Sequence, residues 1–505
     1  MIYVSLLIEI LRTRPRLVFW MATLAQVALW ILVPALFYSA PPGDVAEVLA
    51  RGHGFGFADG PPLAYWLGEI AFILAGNNVV GVYALSQICI VVTYWAVFTL
   101  GRVTLGDRHA ALAILLMVGI SAFTVPTPDF GPAILVMPLW ALALLHLWRA
   151  IGEERRRYWY AVAADLGLLL LTSHLGLVLT AILVVYVLVS ERGRAHLAYQ
   201  ETWAAGIIVA LMTFPSLIWL EQASASYFPK LAQLRSALAV NQNLVAWIKL
   251  WLILLVGHAG AGILVAIASN IARRRRAQGA IIERAAVDPS ARSFIYYFAL
   301  APALAVTPFI VIAEPSGTLN AGPLVILSGL AIVLAAGDRI MLHHQHIIGI
   351  TWFALLLVPP VLTAAAVVIL PRSIGFDLKI TQPAADIGRF FAETFQRRTG
   401  KPLAIVAGDP QLAYLIAFSA ASRPKILIDE APGGAQSVSA KDIAEQGAIV
   451  VWPAADQVGA PPPEIKARYP DLVPELPRAF ERRFQARLPV LRIGWALIRP
   501  QAAAQ

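Results

Sequence analysis

Charge is what this chain has least of. Only 14% of its 505 residues are Asp, Glu, Lys or Arg, against about 25% in soluble domains. Hydrophobic residues make up 59%, and the mean hydropathy is +0.71. This balance excludes a soluble globular enzyme and describes a polytopic membrane protein, so chain length says little about domain count. Cysteine is nearly absent: Cys89 stands alone in an apolar run. It can form no disulfide within the chain, and nothing points to a thiolate metal site. A Gly-rich nucleotide loop is missing too. Gly408-Asp409-Pro410 follows a short apolar run but lacks the further glycines and the Lys-Ser/Thr pair. Internal repeats, low-complexity tracts and a cleavable signal peptide are not evident. The first apolar segment is long enough to span and reads as a retained helix.

What charge there is follows a pattern. A span needs about 20 apolar residues to cross ~30 Å of hydrocarbon. Spans are expected at residues 17–38, 79–100, 110–123, 131–148, 158–172, 175–190, 203–220, 247–268, 294–313, 321–336 and 347–370. Basic residues alternate between the loops these define. One set holds Arg12, Arg14, Arg16, Arg102, Arg108, Arg155 to Arg157, Arg192, Arg194, Arg273 to Arg276 and Arg339. The other holds few: Arg51, Lys230, Arg235 and Lys249. By the positive-inside rule the first set is cytoplasmic. Basic residues facing anionic headgroups account for the net charge of +9, and no nucleic acid partner is called for. Residues 158–190 are apolar throughout except at Thr172-Ser173-His174. A single helix there would be about 50 Å long, too long for one crossing. Two short spans meeting at an outer turn are expected instead. The total is then eleven spans, with the N-terminus inside and the tail outside.

From Pro371 charges and prolines return. Short strands are expected at 403–407, 425–429, 448–452 and 491–498, with helices at 384–398, 410–422 and 439–446. The alternation predicts a small C-terminal α/β domain over residues 371–505, beside a transmembrane module over 1–370.

The expected topology gathers polar residues on one face. The stretch Pro41 to Trp66 carries Asp44, Glu47, Arg51, His53 and Asp59, then Pro61-Pro62, Tyr65 and Trp66. Polar groups this dense between two spans need water or a substrate to satisfy them. The stretch reads as a loop forming one wall of an active site at a membrane surface. Asp129, the Thr172–His174 turn, Glu221, Lys230, Arg235, Lys249 and Glu314 fall on the same side. That side is not cytoplasmic, which disfavours nucleotide sugars, whereas a lipid-borne substrate arrives by lateral diffusion. Structural alternatives stay open. Asp44 and Asp129 each precede a helix and suit an N-cap. His174 suits a turn, and Lys230, Arg235 and Lys249 suit headgroup contacts. Tyr65 and Trp66 suit the interfacial aromatic belt. Asp59 and Glu69 read as solvated or interfacial. Asp165 and His258 fall inside spans, where a charge costs about 2.5–3.5 kcal/mol; each is expected neutral and bonded to another helix. His343, His344 and His346 lie on the cytoplasmic side and are not read as a metal cluster.

These motifs resemble a family. Gly43-Asp44-Val45-Ala46-Glu47, Gly54-Phe55-Gly56, Pro61-Pro62-Leu63-Ala64-Tyr65-Trp66 and Thr127-Pro128-Asp129 are similar to the polyprenyl-phosphate-sugar glycosyltransferases of the GT-C fold. These include protein O-mannosyltransferases and the bacterial lipid A aminoarabinose and galacturonic acid transferases. Val406 to Asp409 and Ala448 to Trp452 resemble the small domain of the bacterial branch. Two departures stand out: Val45 follows Asp44 where the family often has Glu, and Ser173-His174 stands where many relatives have Ser-Lys. The resemblance implies an integral inner-membrane enzyme that moves a sugar from a polyprenyl-phosphate donor. The acceptor would be lipid A, a lipopolysaccharide core sugar, another glycan or a protein on the periplasmic face. Asp44 is implied as general base, with inversion at carbon one. Asp129 is implied to orient the acceptor or to hold a metal ion. The leaving phosphate needs cations or donors, for which His174, Lys230, Arg235 and Lys249 are candidates. Glu47 and His53 are further candidate substrate contacts. No cofactor is required by these residues, and a divalent metal ion is the one the resemblance leaves open. The rival reading is a transporter or flippase of a lipid-linked sugar. It calls for paired inverted repeats and spans broken near the midplane, neither clear in the sequence.

Overall fold

The structure is a computed structural model that describes residues 9–55, 61–214, 240–269, 280–312, 322–373, 377–427, 440–454, 456–482 and 490–500. Its first part is an apolar helical bundle. Helix α1 (Pro15–Phe37) begins on a proline, which suits a first turn because the missing N–H has no helical acceptor there. Two short helices follow, α2 (Gly43–Gly52) and α3 (Leu63–Leu74), then α4 (Val80–Leu105), α5 (Asp107–Met117), α6 (Pro132–Ile151), α7 (Tyr158–Leu170) and α8 (Leu175–Val189). Later come α9 (Val240–Gly257), α10 (Ala259–Ala268), α11 (Pro289–Ile312) and α12 (Gln345–Ser373).

Among the described residues four helices are long and apolar enough to cross a membrane: α1, α4, α6 and α12. The pair α9–α10, bent by 44°, adds a fifth if it is one span, and α3, α7 and α8 are shorter apolar helices. The core runs between α1, α4 and α6, where Phe19 stacks on Phe98 at 4.3 Å and Trp30 and Trp140 are fully buried.

The break within residues 158–190 is present as α7 and α8. Asp165 meets another helix as expected: its Oδ2 lies 2.6 Å from Nδ1 of His146 on α6. His258 differs. It sits at the α9–α10 bend, with Nδ1 2.6 Å from the Leu254 carbonyl of its own helix. A bend opens the helical ladder, so the nearest acceptor is local. Strands β1 (Ala280–Glu283) and β2 (Arg339–Leu342) form an antiparallel pair that the sequence did not suggest. Four residues bounded by charges are too few to show a period of two.

The stretch from 41 to 66 is not an open loop. Much of it is α2 and the start of α3. Val45, Val48 and Leu49 of α2 are buried at helical spacing, while Asp44 and Glu47 face away from that seam.

The tail carries a five-stranded sheet of order β4-β3-β5-β7-β6. Its strands are β3 (Ile405–Gly408), β4 (Lys425–Leu427), β5 (Ala448–Pro453), β6 (Pro474–Phe480) and β7 (Leu491–Ile498). β3 pairs in parallel with β4 and β5, and β7 pairs antiparallel with β5 and β6. The edge strand β6 escaped the sequence reading because its prolines and a register shift between Glu475 and Arg478 break the alternation. Helices α13 (Ala384–Thr399) and α14 (Pro410–Ser419) bury Phe391, Phe395 and Ile416 against Ile449 and Trp495. Asp409 caps α14 by accepting from Leu412 N–H at 3.0 Å, which is the structural use of Gly408-Asp409-Pro410.

Candidate active site

Helix α2 starts on Pro42, whose side chain offers no acceptor, so its first amides need partners from elsewhere. Asp129 supplies one. Its Oδ1 accepts from Val45 N–H at 3.2 Å, and the Asp44 amide also favours its ionised form. The carboxylate therefore caps α2 from a different loop. Asp44 stands in the first turn and reaches solvent, and its carboxyl makes no hydrogen bond or ion pair among the described residues. Neither aspartate caps the helix it precedes: α6 has Gly131 at its N-cap with no side-chain cap, and Asp129 caps α2 instead.

The Asp129 loop is anchored to α4. Ser86 Oγ donates to the Thr127 carbonyl, and Gln87 Nε2 donates to Thr127 Oγ1 at 3.1 Å. Thr127 Oγ1 donates in turn to the Thr124 carbonyl at 2.7 Å. Below it, Gln26 Nε2 donates to the Phe123 carbonyl at 2.5 Å, and Tyr94 Oη donates to Gln26 Oε1 at 3.2 Å. Gly131 leaves room for the pair, since a Cβ there would lie 3.1 Å from Asp44 Cβ.

Burial raises the pKa of both carboxyls. Asp129 is pushed up to about 7, first by burial and then by the charge of Asp44, against the pull of the two amides. Neighbours of this kind titrate as a pair. If ionised Asp44 does the work, the transfer rate should rise with pH, with its midpoint above the ordinary carboxylate range. The pair's effect on stability has the opposite sign. Folded values above the unfolded ones make its contribution greatest below the ordinary carboxylate range and lost as pH rises, for Asp129 through about 7. A rate profile and melting curves over the same pH range check both; a rate that falls across it would contradict the assignment.

The other candidates are placed as follows. Glu47 Oε1 pairs with Arg51 Nε at 3.0 Å, and Arg51 Nη2 donates to Tyr414 Oη at 2.7 Å. His53 Nδ1 lies 3.3 Å from Glu69 Oε1, and Glu69 Oε2 accepts from Arg423 Nη2 at 2.6 Å. Arg423 Nη2 also donates to the Leu49 carbonyl at 2.8 Å. Glu69 is thus buried at 3% exposure, not solvated. The sequence reading missed Tyr414 and Arg423, which tie the tail to α2 and α3. The signal for a partner was Glu69 itself, an acid inside the apolar run Leu63–Leu74.

His174 is exposed at the start of α8, and desolvation lowers its pKa, so it offers a neutral imidazole. Its turn lies against the Pro61-Pro62 stretch, because Leu63 N–H donates to the Leu171 carbonyl at 3.1 Å. Lys249 is exposed on α9, and no described contact brings it to Asp44. Lys230, Arg235, Asp59, Glu221 and Glu314 lie outside the described residues, as do Gly56 and Arg273 to Arg276. Among the described residues no group of three or more His, Cys, Asp or Glu side chains is placed to hold a metal ion. Asp129 spends part of its acceptor capacity on backbone amides.

Known proteins add the following. Residues 59–219 match the model of the dolichyl-phosphate-mannose-protein mannosyltransferase family; Asp129 and the Thr172–His174 turn fall within that range, and Asp44 precedes it. No curated protein matches the chain. Among solved structures, ArnT from Cupriavidus metallidurans bound to undecaprenyl phosphate is 14% identical, covers 96% of this chain and 98% of its own, and aligns with a TM-score of 0.56. Its apo form is 14% identical over 94% and 97%, with a TM-score of 0.49. The oligosaccharyltransferase AglB from Archaeoglobus fulgidus, in complex with an inhibitory peptide and a dolichol-phosphate, is 13% identical over 82% of this chain and 64% of its own, with a TM-score of 0.46. The first of these shows a shared fold. The chain shares its fold with that structure, and residues 59–219 match the mannosyltransferase family's model.

Proposed function

We propose that this protein is a glycosyltransferase that moves a sugar from a polyprenyl-phosphate donor to an envelope acceptor, with Asp44 as general base. The observation that carries the proposal is the pair at the start of α2: Asp129 is committed to capping, and Asp44 has no side-chain partner among the described residues. An acceptor hydroxyl attacks the anomeric carbon from the side opposite the phosphate. Its proton passes to Asp44, the carbon–oxygen bond to the phosphate breaks, and the electron pair leaves with the polyprenyl phosphate. The configuration at carbon one inverts. Among the described residues no cation for the leaving phosphate contacts Asp44, and Lys230, Arg235 and Lys249 are proposed for that role beside neutral His174. The acceptor is proposed to be lipid A, a lipopolysaccharide core sugar, another glycan or a protein.

The orientation supports a periplasmic site. Arg12, Arg16, Arg102 and Arg108 gather at the start of α1 and the end of α4, the opposite end of the bundle from Asp44. By the positive-inside rule this end is cytoplasmic, and the tail is periplasmic with the site. Transport calls for paired breaks in the spans. Among the described residues one bent pair occurs, α9–α10.

The test is mass spectrometry of envelope lipids and glycans from a deletion strain beside its parent. The expected result is one missing sugar modification with its lipid-phosphate donor accumulating. An unchanged sugar inventory, with donor trapped on the wrong leaflet, would favour the flippase instead.

A further inference from the structure

A cavity of about 800 Å³ lies at the arginine-rich end of the bundle. From Ser86, at the Asp129 loop, α4 runs about 24 Å to Arg102 on the cavity wall, so the two sites are separate. Three residues on its wall each keep one buried nitrogen without a hydrogen-bond partner among the described residues. Arg284, whose side chain is 4% exposed, donates Nε to Asp338 at 3.0 Å but leaves Nη1 unmatched. Trp148 Nε1 and His109 Nε2 are likewise buried and unmatched, on residues 6% and 1% exposed. Buried donors seldom stay unpaired, so the Arg284 guanidinium and the Trp148 indole on this wall point to a ligand rich in acceptors.

Four arginines and four carboxylates line the wall, and arginines just outside it join in holding the carboxylates. Its carboxylates are each held by an arginine: Asp107 by Arg16 and Arg102, Glu153 by Arg155, Glu283 by Arg339 and Asp288 by Arg192. Arg12 and Arg108 are not held in this way. Arg12 Nη2 donates to the Ile281 carbonyl at 2.9 Å, and Arg108 Nε donates to the Arg12 carbonyl at 3.0 Å. Neither has a carboxylate partner among the described residues. Forked guanidinium donors and an indole N–H suit the acceptor-only oxygens of a phosphate. We propose that this cavity binds a phosphate group, carried by a phospholipid headgroup or as free phosphate. The proposal is independent of the chemistry assigned to Asp44.

The test uses the full-length protein, with melting followed by tryptophan fluorescence. One arm titrates inorganic phosphate into detergent-solubilised protein, against acetate at equal ionic strength. The other compares phosphatidylcholine nanodiscs with and without phosphatidylglycerol. A rise in melting temperature of a few degrees is expected in at least one arm. Phosphate alone sufficing identifies free phosphate, and a response confined to phosphatidylglycerol identifies the headgroup. Arg12→Gln/Arg108→Gln should weaken the response at least tenfold, and the corresponding double Lys variant should keep more of it. If the double Gln variant does not fold, Trp148→Phe removes one donor at constant charge and should still weaken it. No response in either arm, an equal response to acetate, or an undiminished response in these variants overturns the proposal.

Discussion

Asp44→Asn is expected to lower turnover by about 10²–10⁴-fold while the protein inserts and melts like the parent. Asn keeps the shape of the side chain but cannot take a proton at neutral pH. Folding should be indifferent, because the α2 amides are satisfied by Asp129 and not by Asp44. Asp129→Asn should show the converse balance. It retains one acceptor oxygen but loses the charge at the helix start, where a cap is worth about 0.5–2 kcal/mol, and its effect on rate should be milder. Transfer of radiolabelled sugar, measured beside the melting curve of each variant, separates the two. A folded Asp44→Asn protein turning over at the parent rate would remove Asp44 from the chemistry.

The second large effect concerns the tie between tail and bundle. Arg423→Met should destabilise the protein by about 3–5 kcal/mol, because it leaves the Glu69 carboxylate buried without its guanidinium, with only His53 beside it. The side chains are 13% and 5% exposed, so water cannot replace the lost charge. Arg423 also carries the Leu49 carbonyl at the end of α2 and lies over the Phe72 ring at 4.9 Å. The tail should accordingly become open to protease. The double variant Glu69→Gln/Arg423→Met should recover much of the loss, since no charge is then left stranded. Urea melts and limited proteolysis of the three variants decide this; equal stability of the single variant and the parent would mean that the tail is held by other contacts.

Much of the architecture was legible because bilayers impose a coarse rule on sequence. Long apolar runs gave α1, α4, α6 and α12, and Thr172-Ser173-His174 marked the α7–α8 break. The tail's buried strands β3, β5 and β7 showed as short apolar runs, whereas the proline-bearing edge strand β6 did not. The Asp44 turn was legible as a polar cluster between two spans. The division of labour within it was not, because the contact that assigns Asp129 to the helix start joins residues 84 apart in sequence. For the same reason the tie between Glu69 and Arg423, 354 apart, was hidden, and Glu69 read as solvated or interfacial. A buried charge announces that it needs a partner, but only the fold names it.

The central claim is that a lipid phosphate carries the sugar. The direct measurement supplies purified protein and an envelope-derived acceptor with one labelled donor at a time, a polyprenyl-phosphate sugar or a nucleotide sugar. Label should reach the acceptor from the polyprenyl donor, depend on Asp44, and not arrive from the nucleotide sugar. Transfer from the nucleotide sugar with no polyprenyl lipid present would contradict the account.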